Sequence, residues 1–320
     1  MIVTRLTQAF GLRHPIVLAP MGGAAGGRLA AAVSNAGGLG LVGGGYGERE
    51  WMTCELALAR AGTQAKWGVG LITWSIGPGI LELALAHRPD AVMLSFGDPR
   101  PHAGAIKAAG SALVCQVQGT DEARLAQEAG ADFIVAQGTE AGGHGGSRAS
   151  LPLVPAIADL VAPIPVIAAG GIVDGRGVAA ALMLGAQGAL MGTRFCASTE
   201  ALGRDSAKAR VVGAHAEETA RTRVFDIVRG YAWPTPYTGR ALRNDFTARW
   251  NGREDELAAA LDVERVAYRS AVDDDDYATA LVWAGEGVDL VTSIEPAAAL
   301  VARIGADAEA RLRDVSHLVR

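Results

Sequence analysis

An α/β fold, a (β/α)8 barrel with a mostly helical second lobe inserted after strand eight, is what this sequence predicts. Three observations carry the expectation. Short apolar runs rich in β-formers recur about every 20 to 30 residues, and there are eight of them. Those runs are apolar throughout rather than alternating, as strands covered on both faces must be. Alanine-rich helical stretches separate them, several stopped by glycine, the residue that tolerates a left-handed C-cap. An open doubly wound sheet is the competing arrangement, but the first βα turn lacks the GxGxxG of a dinucleotide site.

The strands are expected at 16–19, 39–42, 67–73, 91–96, 113–117, 133–137, 165–169 and 189–195, with helices such as 28–35, 80–86, 121–129 and 176–184 between them. The rhythm stops near Gly203. From about 204 to 276 charge rises and tyrosines gather, with an irregular Trp233-Pro234-Thr235-Pro236-Tyr237 segment followed by helical stretches around 242–250 and 254–271. The acidic run 273–276 reads as a solvated loop. The tail, 295–319, reads as an amphipathic helix with Leu300, Ile304, Ala308 and Leu312 facing inward. The division that follows is a barrel from 1–203 and 281–320 and a helical, substrate-covering lobe from 204–280.

Composition narrows the function. With 320 residues, half hydrophobic and 20% charged, the chain can bury a large core and is not a disordered protein. A net charge of −5 argues against a nucleic-acid or anionic-membrane partner. No apolar run is long enough to span a bilayer, and the first residues carry no export signal. Three scattered cysteines, Cys54, Cys115 and Cys196, fit a reduced, cytoplasmic protein, and no metal-ligand spacing occurs.

Barrels carry their chemistry on the loops after the strand ends, so these are the segments that matter. After strands seven and eight stand Ala169-Gly170-Gly171-Ile172 and Met191-Gly192-Thr193-Arg194. Bare glycine lets backbone N–H groups approach a phosphate, and a following helix N-terminus adds a favourable dipole. Two such turns at consecutive strand ends point to a phosphate site. After strand one, Ala19-Pro20-Met21-Gly22 either forms an ordinary turn or lies flat against a planar ring. After strand six, Gly142-Gly143-His144-Gly145-Gly146 holds a histidine between glycines, with no helical or strand role expected. An imidazole there suits general acid–base work. His14, His87, His102, His215 and His317 lie in less telling places. Glu140, the nearest carboxylate in sequence, either orients the loop or faces solvent, and solvent is the expectation.

These segments together resemble the FMN-dependent nitronate monooxygenases, formerly called 2-nitropropane dioxygenases. The resemblance rests on Pro15 to Gly23 continuing to Gly40, on Gln137 to Gly145, on Ala169 to Gly177 running to Phe195, and on Trp283 to Gly287. FMN-dependent enoyl-acyl-carrier-protein reductases share most of these motifs. The resemblance implies FMN, with its phosphate on Gly170, Gly171, Gly192 and Thr193 and its ring against Ala19, Pro20 and Met21. Gly22, Gln116, Gln137, Gly142 and Gly143 complete the expected cofactor contacts, and His144 is the expected catalytic residue. The implied substrates are a small nitronate and O2, with a carbonyl compound and nitrite as products. His144 would act either as a base on a neutral nitroalkane or as an electrostatic partner of the nitro group. Two positions depart from some family members: Gly70 stands where an Asn occurs, and Gln116 where a Lys occurs. Tyr231, Trp233 and Tyr237 either cover the substrate or pack the lobe. A monomer and a homodimer are both compatible with the sequence.

Overall fold

The structure, a computed structural model, describes residues 1–318. Eight parallel strands form the main sheet: β1 (Ile16–Leu18), β2 (Gly40–Gly43), β3 (Trp67–Ile72), β4 (Ala91–Ser95), β5 (Ala112–Val117), β6 (Phe133–Gln137), β8 (Val166–Ala169) and β9 (Ala189–Met191). Their order is β1-β9-β8-β6-β5-β4-β3-β2. The sheet closes where Leu39 meets Val17: Leu18 N–H donates to Leu39 O and Leu39 N–H to Ile16 O, both at 2.9 Å. The result is the closed (β/α)8 barrel.

Both strand faces are buried, which explains the unbroken apolar runs. On β4 and β5, Met93 and Val114 face the barrel interior, whereas Val92, Leu94, Leu113 and Cys115 pack outward under the helices. The N-terminal helix Arg5–Phe10 plugs the floor, with Phe10 5.4 Å from the Phe133 ring. The tail forms helix Ala297–Asp314, which packs on helix Gly175–Met183 and buries Leu300, Ile304 and Ala308. Leu312 is only half-buried, and Val319 lies outside the described residues.

One expected boundary needs correction. The eighth barrel strand ends at Met191 instead of running to 195, because Phe195 and Cys196 N–H turn back to Gly192 O and open helix Thr193–Cys196. The inserted lobe is mostly helical, with one short β-ribbon. Besides helices Asp205–Val212, Val224–Arg229, Asp245–Trp250, Glu254–Ala259 and Leu261–Asp273, it contains β10 (Thr219–Thr222) and β11 (Thr238–Leu242). These pair antiparallel with each other, and β11 pairs onward with β7 (Gly143–Gly145), a strand of the barrel's own βα loop. No helix among the described residues is long and apolar enough to cross a membrane.

Candidate active site

At the C-terminal mouth of the barrel lies a cavity of about 590 Å3, within the usual size range of cofactor and small-molecule sites. The twelve expected cofactor contacts and His144 all line it. Residues scattered from 19 to 193 meet there because each lies at or just after the C-terminal end of a parallel strand, and all parallel strands end at one rim.

The barrel wall is built of backbone. Gly170 and Gly171 adopt φ of +107° and +69°, conformations that glycine alone adopts at little cost. A Cβ on Gly192 would stand 3.3 Å from Met21 Sδ, and one on Gly142 would stand 2.7 Å from Gly285 N. Thr193 Oγ1 accepts from Gly285 N–H at 3.0 Å and ties the two turns to the returning 281–287 segment. The helix following β8 contributes less than its position promised. Its first N–H groups are already taken by Asp174, which accepts from Arg176 N–H at 2.9 Å and Gly177 N–H at 3.2 Å. The departure at Gly70 has a steric reason: a Cβ there would lie 2.2 Å from Pro20 Cγ, so the bare strand is what lets the β1 turn lie down on β3. Gln116 Nε2 donates to Gln137 Oε1 at 3.0 Å, so the two expected amides form one pair on the cavity floor.

His144 sits on β7, opposite Gly239 of β11, contrary to the expectation of a loop without strand structure. The lobe supplies the missing partner strand. Arg221 holds the same loop by donating to Thr139 O at 3.1 Å and Gly145 O at 2.6 Å, and Arg240 adds a bond to Thr139 O at 3.0 Å. The imidazole stacks on Trp233 with centroids 3.5 Å apart and planes 6° from parallel. Its Nε2 lies 2.9 Å from both oxygens of Asp226, and the two side chains are 8% and 4% exposed. A carboxylate accepts only, so Nε2 carries the proton and Nδ1 the lone pair. Burial pushes the imidazole below its ordinary value; Asp226 opposes this in part, while Arg229 and Arg221 add to it. The resting ring is therefore neutral near pH 7.

Around this pair stands an aromatic wall. Tyr46, from the loop after β2, stacks on Tyr231 at 3.6 Å and accepts from Trp233 Nε1–H at 2.9 Å. Burial raises the Tyr46 hydroxyl to about 12, which keeps it a neutral phenol. Tyr237 turns away, donating to Glu122 Oε1 at 2.6 Å across the barrel–lobe seam. Cys196, 3.3 Å from Met21 Sδ, is raised to about 12 by burial and remains a thiol. Glu140 does not face solvent. It caps helix Ser150–Leu160, accepting from Ser150 N–H at 2.9 Å and Ser150 Oγ–H at 2.7 Å, and so orients the loop.

Sequence reasoning missed Asp226, Tyr46 and Lys208, all buried or half-buried, of which the last two line the cavity. Asp226 did leave a trace: it is the one charge within Val224-Phe225-Asp226-Ile227-Val228. A carboxylate in so apolar a run needs a buried partner, but nothing local says which.

Comparison with known proteins adds the family. The family described as Nitronate monooxygenase matches residues 3–75 and 77–307. A nitronate monooxygenase of Neurospora crassa is 32% identical over 98% of this chain and 94% of its own length. A (3aS,4S,5R,7aS)-5-hydroxy-7a-methyl-1-oxo-octahydro-1H-indene-4-carboxyl-CoA dehydrogenase of Mycobacterium tuberculosis is 35% identical over 70% of this chain, which spans only 64% of that relative. Among solved structures, FabK from Thermotoga maritima superposes with a TM-score of 0.88 at 30% identity over the full length of both chains. A nitroalkane oxidase from Streptomyces ansochromogenes does so with a TM-score of 0.82 at 29% identity, covering 96% and 98%. With a match across nearly its whole length and the strand-end glycines and loop histidine gathered in one cavity, the chain belongs to the nitronate monooxygenase family of oxidoreductases.

Proposed function

We propose that the cavity binds FMN and that the enzyme oxidises alkyl nitronates, and neutral nitroalkanes after their deprotonation, with O2 to a carbonyl compound and nitrite. The observation that carries this reading is His144, held by the Asp226 carboxylate behind it, facing the same cavity as two side-chain-free strand-end turns. The residues present fit the cofactor: Gly170, Gly171, Gly192 and Thr193 would hold its phosphate, and Ala19, Pro20, Met21 and Gly22 its ring. Gln116 and Gln137 would serve the ring's polar edge, with Gly142 and Gly143 on the loop side. Bound there, FMN would supply the electron-accepting ring and its reoxidation by O2.

The protein's part is positioning and one proton. His144 receives the α-proton of a neutral nitroalkane at Nδ1, the nitrogen not committed to Asp226. The Asp226 carboxylate fixes the tautomer and stabilises the imidazolium that results, as the buried carboxylate of a catalytic triad does. Trp233, stacked on the imidazole, sets its plane. Tyr46, Tyr231 and Trp233 line the cavity beside the imidazole and limit water. A preformed nitronate has no such proton, so its turnover depends less on His144.

A panel of nitronates and nitroalkanes, scored for nitrite release and oxygen uptake, tests the reading. Oxygen uptake with equimolar nitrite supports it; no nitrite from any of them overturns it. A second reading, redox chemistry on an acyl thioester with NAD(P)H, is favoured by the resemblance to the carboxyl-CoA dehydrogenase. Anaerobic mixing with NADH separates the two, because rapid bleaching of the flavin is expected only for the second.

A further inference from the structure

The glycine cradle lacks a charge to balance an anion, and the lobe places one in the same cavity. Lys208 is 6% exposed and lines the cavity. Its helix, Asp205–Val212, packs on helix Thr193–Cys196 and on the 3-10 helix Glu286–Leu290. Val211, one turn of chain further on, shares an apolar cluster with Val173 and Ala284. Val173 follows the Gly170–Gly171 turn and Ala284 precedes Gly285, so the helix packs against the segments that follow both turns of the cradle. The ion-pair partner of Lys208 among the described residues is Asp205, 3.4 Å away and 95% exposed. That carboxylate is solvated by water, and it balances a buried ammonium poorly. The other cation on the cavity wall, Arg229, is spent on the Tyr231 ring, 4.8 Å from its centroid. The helix N-terminus behind the cradle is closed by Asp174.

From this arrangement we propose that Lys208 is an oxyanion-binding residue of the cavity, pairing with a phosphate or carboxylate of the bound ligand. The oxyanion comes either from the cofactor's tail or from a substrate substituent, and the cofactor arm rests on the FMN reading above.

The test compares wild type with Lys208→Met, Lys208→Arg and Asp205→Ala. Apoprotein is titrated with FMN and with riboflavin, which lacks the phosphate, and flavin fluorescence is followed. If the cofactor is the source, Lys208→Met weakens FMN about 10- to 100-fold, the usual size of one charge-assisted bond, and leaves riboflavin within about twofold. Lys208→Arg restores FMN binding, and Asp205→Ala leaves it unchanged. If the substrate is the source, FMN affinity stays the same. KM then rises about tenfold or more for a nitronate bearing a carboxylate and not for an unsubstituted one. Equal weakening of FMN and riboflavin, equal effects of Lys208→Met and Asp205→Ala, or no effect on any ligand overturns the proposal. A wild-type apoprotein that takes up neither flavin defeats the FMN reading instead. Calorimetry with inorganic pyrophosphate then decides the residue: uptake lost in Lys208→Met supports it, and no uptake overturns it.

Discussion

The two walls of the cavity recognise by opposite means. The barrel wall works by lacking side chains: Gly70, Gly170 and Gly171 expose backbone where a Cβ would collide or strain, and at Gly192 a Cβ would crowd Met21 Sδ at 3.3 Å. The lobe wall works through side chains: Asp226 behind His144, Trp233 on its face, Tyr231 against Tyr46. The first is a rigid socket whose shape hardly depends on pH. The second is an ionisable, aromatic surface whose protonation state decides what it can do. The difference teaches where variation acts. Changes to the socket affect whether a ligand is held, and changes to the side chains around His144 affect what happens to it.

Substitutions can break that division or sharpen it. His144→Asn is expected to be the most damaging, lowering kcat/KM on a neutral nitroalkane by about 10^2- to 10^4-fold, the range for loss of a general base. Turnover of preformed nitronate should fall far less; equal losses would make His144 an electrostatic partner instead of a base. Asp226→Asn comes next, at about 10- to 100-fold on the neutral substrate. Its pH profile carries the sharper information. The carboxylate raises the imidazole's pKa, so its removal lets the pKa fall further, and the acid limb of kcat/KM moves to lower pH. An unmoved limb would mean that His144 is not the titrating base. Flavin content should be unchanged in both variants.

Gly70→Ala strikes the other wall. Its Cβ must displace Pro20, and overpacking of this kind costs about 1–3 kcal/mol. A thermal melt should register a Tm lower by a few degrees, and purified protein should retain less flavin while its pH profile keeps its shape. Full retention of flavin would show that the β1 turn has slack the geometry does not suggest. Tyr237→Phe is expected to do least. It removes one hydrogen bond to Glu122 across the seam, about 1 kcal/mol, and should leave both flavin content and the pH profile alone. A large kinetic effect would mean that the seam itself moves during turnover.

The socket was the legible part. Glycine pairs at strand ends have few other uses, and the parallel βα rhythm told in advance that positions 19, 116, 137, 170 and 192 would share a rim. The lobe was legible only in outline. β10 and β11 are short and carry arginines and threonines rather than an apolar run (Thr219-Ala220-Arg221-Thr222), because one edge of the ribbon serves to hold the His144 loop. Their strand character comes from that pairing, so no local pattern announces it. For the same reason His144 read as a loop residue: three residues, Gly143-His144-Gly145, have no strand propensity until β11 lies beside them.

What the amino-acid order determined is therefore the periodic part: the barrel, its rim, the bare turns and the one histidine set among glycines. These follow from local rules, since hydrophobic period, helix stops and backbone freedom act over a few residues. What only the tertiary structure decided is the chemistry of that histidine. Asp226 is 82 residues away, and Trp233 is brought onto the imidazole by a segment with no regular pattern. The protonation, tautomer and plane of the ring depend on a buried carboxylate and a stacked indole. Such contacts form only when the lobe folds back over the barrel, because electrostatics in a dry site is set by neighbours in space and not by neighbours in sequence.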